Sequence, residues 1–196
     1  MTEIANADFS SRQSLPGVDS QFTHRWSPRA MQSTAIPAQD LAAIFEAARW
    51  APSCFNDQPW HFYTSTEATF ENYLELLAPA NQAWAKNAAV LGFVVSRQHF
   101  RRNGKLNAHA DFDSGAAWMA LALQAHHLGY HAHGMAGVNF DGAYDYLDLD
   151  REKFRVICAF ALGRRGDPSV LTPEQQANEQ PSGRVPLAEV WMTAGK

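Results

Sequence analysis

Apolar positions along this chain recur at two different periods. From Pro37 to Arg49, Leu41, Ile44, Phe45 and Ala48 fall at helical spacing and predict an amphipathic helix. Pro37 suits its first turn, and Asp40 sits where the positive end of a helix dipole favours a carboxylate. Pro52 stops the helix, and His61 to Thr64 predicts a short strand. Thr66 reads as the N-cap of a second helix, striped by Phe70, Tyr73, Leu74 and Leu77 and ended by Pro79. Residues 81–87 read as a polar connection. Ala88 to Ser96 (AAVLGFVVS) predicts a buried strand. Gln98 to Asn107, with Arg101, Arg102 and Lys105, reads as a solvated charged loop and a candidate lid.

The second half follows the same logic. A helix near 110–128 is apolar almost all round, so protein must surround it. In a chain this size that predicts a central helix, or one shared with a second subunit. Gly129 closes it. Tyr130 to Val138 predicts a strand interrupted by Gly134 and Gly137, where a flat ligand can approach the backbone. A short helix near 141–148 and a strong strand from Phe154 to Leu162 follow. The tail from Pro168 is polar, yet Val185, Leu187, Val190 and Trp191 need something to pack on.

Composition narrows the choice. With 196 residues and 46% hydrophobic content, one substantial core and one domain are expected. Residues 1–20 read as a flexible polar leader, and 21–196 as the single domain. A net charge of −4 argues against a sequence-independent grip on nucleic acid. Cys54 and Cys158 form no CxxC, which gives neither a disulfide framework nor a zinc ribbon and fits a reducing cytoplasm. The N-terminus lacks the basic-then-apolar order of a signal peptide, and the most apolar helix is too polar to span a bilayer.

The stretch that organises the chain is Ala47 to Trp60 (AARWAPSCFNDQPW). A helix end, a small polar loop and a Pro-aromatic exit form a turn that presents Ser, Asn and Gln groups. A plain surface turn would look the same. Upstream, Arg25, Ser27 and Arg29 lie within five residues. Pro28 holds Ser27 extended, so paired guanidinium donors and a hydroxyl can surround a phosphate.

Other chemistries have less support. His131 and His133 share one strand face and could ligate a metal, but no HExxH signature accompanies them, and a polar edge face fits as well. GxSxG is missing, and Cys54 with His61 has little spacing support as a nucleophile–base pair. GxGxxG is missing too, so any nicotinamide binds in a cleft without a Rossmann domain.

Four segments together resemble the nitroreductase-like FMN-dependent oxidoreductase family. They are Arg25-Trp26-Ser27-Pro28-Arg29, the Ala51-Pro52-Ser53…Asn56…Gln58-Pro59-Trp60 loop, His133-Gly134-Met135-Ala136-Gly137, and Arg184-Val185-Pro186-Leu187. The resemblance spans about residues 22–191 and implies an α+β fold, a mixed central sheet wrapped by helices, in an intertwined homodimer with two FMN molecules at the interface. It implies that Arg25, Ser27 and Arg184 hold the FMN phosphate and that Arg29 faces the N1–O2 edge. Pro52, Ser53, Cys54, Asn56 and Gln58 would reach the flavin held mainly by the other subunit. Asn81 would bond the pyrimidine edge, and the backbone at Met135, Ala136 and Gly137 would lie beside N5. Trp26 and Trp84 flank the site at positions where relatives often carry basic residues, and Ser182 also stands where a basic residue is common. Fewer cations leave Arg29 as the main charge at the flavin edge.

The activity implied is ping-pong transfer of hydride from NADH or NADPH to an electron-poor small molecule such as a nitroaromatic or quinone. The alternatives are an enal or semialdehyde reductase of the same family, a flavin-binding protein with little turnover, and a metal-dependent hydrolase using the histidines. No acid–base residue is required by the first reading.

Overall fold

The structure is a computed structural model and describes residues 7–193. After a short helix α1 (Ser20–His24) and a two-residue strand β1 (Met31–Gln32), helix α2 runs from Ala38 to Arg49. Strand β2 (Trp60–Thr64) leads to helices α3 (Phe70–Glu75) and α4 (Pro79–Ala85), and then to strand β3 (Val90–Arg97). The 18-residue helix α5 (Ala110–His127) precedes β4 (His131–Met135), α6 (Phe140–Tyr146), β5 (Phe154–Arg165) and α7 (Pro173–Ala177).

β5 is the spine of the sheet. It pairs with β3 along Phe154–Leu162, with β4 along Ala159–Gly163 and with β1 at Arg164–Arg165, while β2 lies outside β3. Alternating residues of β3 face opposite layers. Leu91, Phe93 and Val95 pack with Tyr73, Leu77 and Trp84 on the side of α3 and α4. Val90 and Val94 pack with Ile44, Ala117 and Leu121 on the side of α2 and α5. Helices therefore cover both sheet faces, as the α+β class expects.

Five expectations change. Every strand pairing among the described residues is antiparallel, so the mixed sheet is not found within the chain. Hydrophobic pattern marks which stretches are extended, but not which way each runs. The connection expected at 81–87 is mostly helical, because Pro79 begins α4 at its first turn instead of ending the helix before it. The second helix is split: Glu67–Thr69 forms a 3-10 turn ahead of α3. The leader is anchored where it is described, since Asp8 N donates to Gln180 Oε1 and Arg12 bonds to Ser182 and α1. Lastly, of the two alternatives for α5, the helix enclosed by its own chain is the one not found.

The ends of α5 follow the dipole rule. Asp111 and Asp113 occupy its first turn, His126 and His127 its last, and Gly129 at φ 78° reverses the chain beyond it. Phe112 is 80% exposed and Met119 38%, so one apolar stripe of this helix is bare. In the tail, Val185, Leu187, Val190, Trp191 and Met192 are also exposed.

Candidate functional site

The residues singled out by sequence gather at the two ends of α5. At the C-terminal end, the segment between α1 and β1 is held from three sides. Arg25 Nη1 donates to Ser27 Oγ at 3.4 Å, and Ser27 Oγ donates to the Ala132 carbonyl of β4 at 3.2 Å. Glu179, buried behind this segment, accepts from the backbone N–H groups of Arg29 and Ala30, each at 2.8 Å. A buried carboxylate satisfied by backbone donors fixes the chain path without using any guanidinium. The side chains of Arg25 and Arg29 are left to other work.

Arg184 arrives from the tail and curls over its own turn, donating to the carbonyls of Ser182 and Gly183. Burial, and then the charge of Arg184, makes the Arg25 guanidinium easier to deprotonate than an ordinary arginine. Arg12 is lowered likewise, by burial first and then by Arg184 and Arg25. Three like charges are thus close enough to repel one another. Among the described residues none of them has a carboxylate partner. Arg25 Nε is buried with no hydrogen-bond partner there. Mutually repelling guanidiniums with an orphaned buried donor give this segment the charge and the spare donors to bind an anion.

Beside this cradle lie the β4 histidines. His133 Nδ1 is 3.0 Å from the Pro28 carbonyl and lies near the charge of Arg29. Burial lowers its affinity for a proton. His131, hydrogen-bonded to the Trp26 backbone, is pushed down to about 4 by burial and then by His126. Both imidazoles are therefore neutral at pH 7. One nitrogen of each ring helps to position residues 26–28, while His131 Nδ1 is buried without a hydrogen-bond partner, and among the described residues no group of three or more His, Cys, Asp or Glu could hold a metal ion.

Trp26 and Trp84 are packed inside, at 4% and 1% exposure, with the Trp84 ring 4.6 Å from that of His133. Neither indole lies on the surface. Asn81 Nδ2 donates to the Gly137 carbonyl at 3.1 Å, which joins α4 to the residues after β4. A Cβ on Gly137 would meet Asn81 Nδ2 at 2.8 Å and displace the Asn81 amide from this bond. Met135 is buried and Ala136 exposed.

The organising loop stands at the other end of α5. Cys54 N donates to Asp113 Oδ2 at 3.0 Å, and Gln58 N to Ser53 Oγ at 3.0 Å. Phe55, Asn56 and Gln58 adopt φ values of 54°, 55° and 50°, a left-handed run that ordinary residues resist. Asp57 holds the run in place. Its carboxylate receives Arg97 Nη2 at 2.8 Å and Arg101 N at 2.8 Å. Arg102 lies 3.8 Å over the Phe55 ring, and Arg101 Nη2 donates to the Gln58 carbonyl. The charged loop at 98–107 is therefore a buttress for the organising loop. Phe55, Asn56 and Pro52 are exposed.

The two groups do not meet within one chain. The loop bonds to Asp113, whereas Arg25 acts on His126, thirteen residues further along α5 and roughly 20 Å away at helical rise. Sequence reasoning passed over Arg12, Asp57 and Glu179. Arg12 and Glu179 sit in polar, patternless segments, and the partners that give them their place, Ser182 for Arg12 and the Arg29 and Ala30 N–H groups for Glu179, are about 150 residues or more away. Asp57 carried one signal: it is the only acid in a loop followed downstream by Arg97, Arg101 and Arg102.

An antiparallel α+β sheet clothed by helices, with a cationic cradle and a strained polar loop at opposite ends of a half-bare helix, defines the class. The chain belongs to the nitroreductase family: the family's model matches residues 22–164. It is similar to a solved structure described as an oxidoreductase containing FMN, at 45% identity and a TM-score of 0.88, over 92% of this chain and 93% of that one. A nitroreductase family protein from Clostridium difficile 630 shares the fold at 22% identity and a TM-score of 0.69, over 90% of this chain and 98% of that one. Among curated proteins, "Putative NAD(P)H nitroreductase YdgI" of Bacillus subtilis (strain 168) is 23% identical over 67% of this chain and 80% of its own length.

Proposed function

We propose that this chain is an FMN-dependent NAD(P)H oxidoreductase that reduces electron-poor small molecules, nitroaromatics or quinones, in the cytoplasm. The observation that carries this reading is the uncompensated pair Arg25 and Arg184, with Ser27 beside them, in a chain 45% identical to an FMN-containing oxidoreductase. When bound, FMN supplies the two-electron chemistry, taking hydride from NADH or NADPH and giving it to the acceptor in ping-pong order. The chain supplies binding, placement and charge. Arg25, Ser27 and Arg184 hold the phosphate, and Asn81 and the backbone at 135–137 line the ring. Arg29 carries positive charge toward the edge where negative charge develops. The neutral His133 keeps its segment in place without adding a competing cation.

The reading includes a homodimer. The loop residues Ser53, Cys54, Asn56 and Gln58 lie too far along α5 to serve the cradle of their own chain, so they serve a partner's. The bare stripe at Phe112 and Met119 and the exposed tail residues Val185, Leu187 and Trp191 supply apolar surface for that interface. Residues 21–196 act as the one flavin-binding domain.

The test is direct. Purified protein is expected to be yellow, to run as a dimer, to carry one FMN per chain and to oxidise NADPH or NADH faster when menadione or nitrofurazone is added. Colourless protein that takes up no added FMN refutes the reading. Bound flavin with no acceptor-dependent turnover reduces it to flavin storage.

A further inference from the structure

We propose that Arg12, carried by the segment ahead of the family-matched residues, is a third cation for the flavin phosphate and sets the preference for FMN over unphosphorylated riboflavin. This inference rests on the FMN reading above.

Arg12 is fixed by three hydrogen bonds to backbone carbonyls. Nε donates to Ser182 at 2.8 Å, and Nη1 donates to Thr23 at 2.9 Å and Arg25 at 2.8 Å. One guanidinium thereby joins the leader, the end of α1 and the turn that carries Arg184. Nη2 makes no hydrogen bond among the described residues. The side chain lines a cavity of about 430 Å³ together with Thr23, Arg184 and Val185. Among the described residues no carboxylate forms an ion pair with it.

The backbone clamp uses Nε and Nη1 and leaves Nη2 and the positive charge free to meet an anion. Holding a third guanidinium beside Arg25 and Arg184 costs free energy through burial and repulsion in the empty chain. An anion bound among the three recovers that cost, and a dianionic phosphate recovers more than a neutral hydroxyl does. Arg12 thus does two things at once. It sets the direction of the Arg184 turn through Ser182, and it adds charge to the phosphate end of the ligand.

The experiment titrates apoprotein with FMN and with riboflavin, following flavin fluorescence, for the wild type, Arg12→Ala and Arg12→Lys. Arg12→Ala is expected to weaken FMN by about tenfold or more, the effect of a charge-assisted bond, and riboflavin by less than about twofold. Arg12→Lys keeps the charge but loses the fork, so its FMN-to-riboflavin ratio should fall between the other two. Inorganic phosphate should raise the melting temperature of wild-type apoprotein more than that of either variant. Equal weakening of FMN and riboflavin would overturn the proposal and leave Arg12 as a backbone clamp. Unchanged FMN affinity would overturn it outright. Should Arg12→Ala fail to fold, Arg12→Gln supplies the same ratio. A wild type that binds neither flavin points instead to failure of the FMN reading.

Discussion

The two ends of α5 solve opposite problems. At the N-terminal end, the buried charge is balanced inside the chain: Asp57, 4% exposed at its side chain, is matched by Arg97 and by the Arg101 N–H. Its left-handed residues are braced before any ligand arrives. At the C-terminal end, geometry is braced by Glu179 and the Ala132 carbonyl, but charge is left open across Arg12, Arg25 and Arg184. One end offers a finished shape, and the other a field that only an anion completes. A ligand with a charged tail and a neutral ring edge needs both, and one chain holds the two about a helix length apart.

The largest effect tests whether the two ends act across chains. Arg25→Ala with Arg184→Ala should abolish FMN retention, and Asn56→Ala should weaken it. Co-expressing the two variant chains with different tags gives a mixed dimer. If cradle and loop come from different chains, that dimer has one intact site and retains about half the wild-type flavin. If they come from the same chain, one site lacks its cradle and the other its Asn56 side chain, so whatever flavin is retained is held as weakly as in Asn56→Ala. Absorbance on doubly purified dimer gives the loading, and the release rate of the retained flavin decides the matter: wild-type release means a site shared between chains, and release as fast as from Asn56→Ala means a site within one chain.

Breaking the balanced end comes next. Asp57→Ala leaves Arg97 mostly buried without its carboxylate, a defect that costs about 3–5 kcal/mol in buried pairs. Urea unfolding should show most of that loss. Asp57→Asn still accepts from Arg101 N and should lose less. By contrast, Arg184→Ala relieves repulsion at the other end and should leave the flavin-free chain no less stable. Similar losses for Asp57→Ala and Arg184→Ala would erase the contrast between the ends.

Acid should probe the cradle side. His131 is lowered to about 4 by burial, and then by His126, Arg165 and Arg25. Its unfolded form takes a proton near the ordinary value of about 6.5, so the unfolded chain binds more protons between those values. The stability that neutral His131 contributes is whole above pH 6.5. It drains as pH falls toward 4, by roughly 3 kcal/mol in total. His131→Gln should flatten the fall in denaturant midpoint across that window. An unchanged slope would mean that other groups, such as His133 or His126, dominate.

Much of this arrangement can be read from residue order. The stripe Leu41, Ile44, Phe45 and Ala48 does form α2, and the β-branched run before Arg97 does form β3. Both signals are local, because burial on one face imposes a period. The arginines of the cradle and the polar loop were also visible as composition at short range. What stayed hidden depends on distant partners. Pro79 punctuates a chain equally well as a stop or as a first helical turn, and only packing of Trp84 and Ala85 on β3's face selects the second. The same packing takes the Trp84 indole away from the surface. Arg12 looks like any solvated arginine until Ser182, 170 residues on, comes to meet it. Strand direction and the bare stripe of α5 are likewise properties of the assembled chain.

The smallest effect on the fold is expected at Asn56, and that smallness is informative. Its φ of 55° suits Asn better than most side chains, and Gly better still. Glycine also raises the entropy of the unfolded chain, which offsets that relief, so Asn56→Gly should change stability by less than about 0.5 kcal/mol. The Asn56 side chain makes no hydrogen bond among the described residues; only its backbone carbonyl is used, accepting from Gln58 Nε2. A side chain that is idle in its own chain, yet mounted on a loop braced by Asp57, has its use elsewhere. Asn56→Gly should therefore melt like the wild type while releasing flavin several-fold more readily on dilution. If stability falls as far as it does for Asp57→Ala, Asn56 belongs to the brace, and the loop presents nothing to a partner.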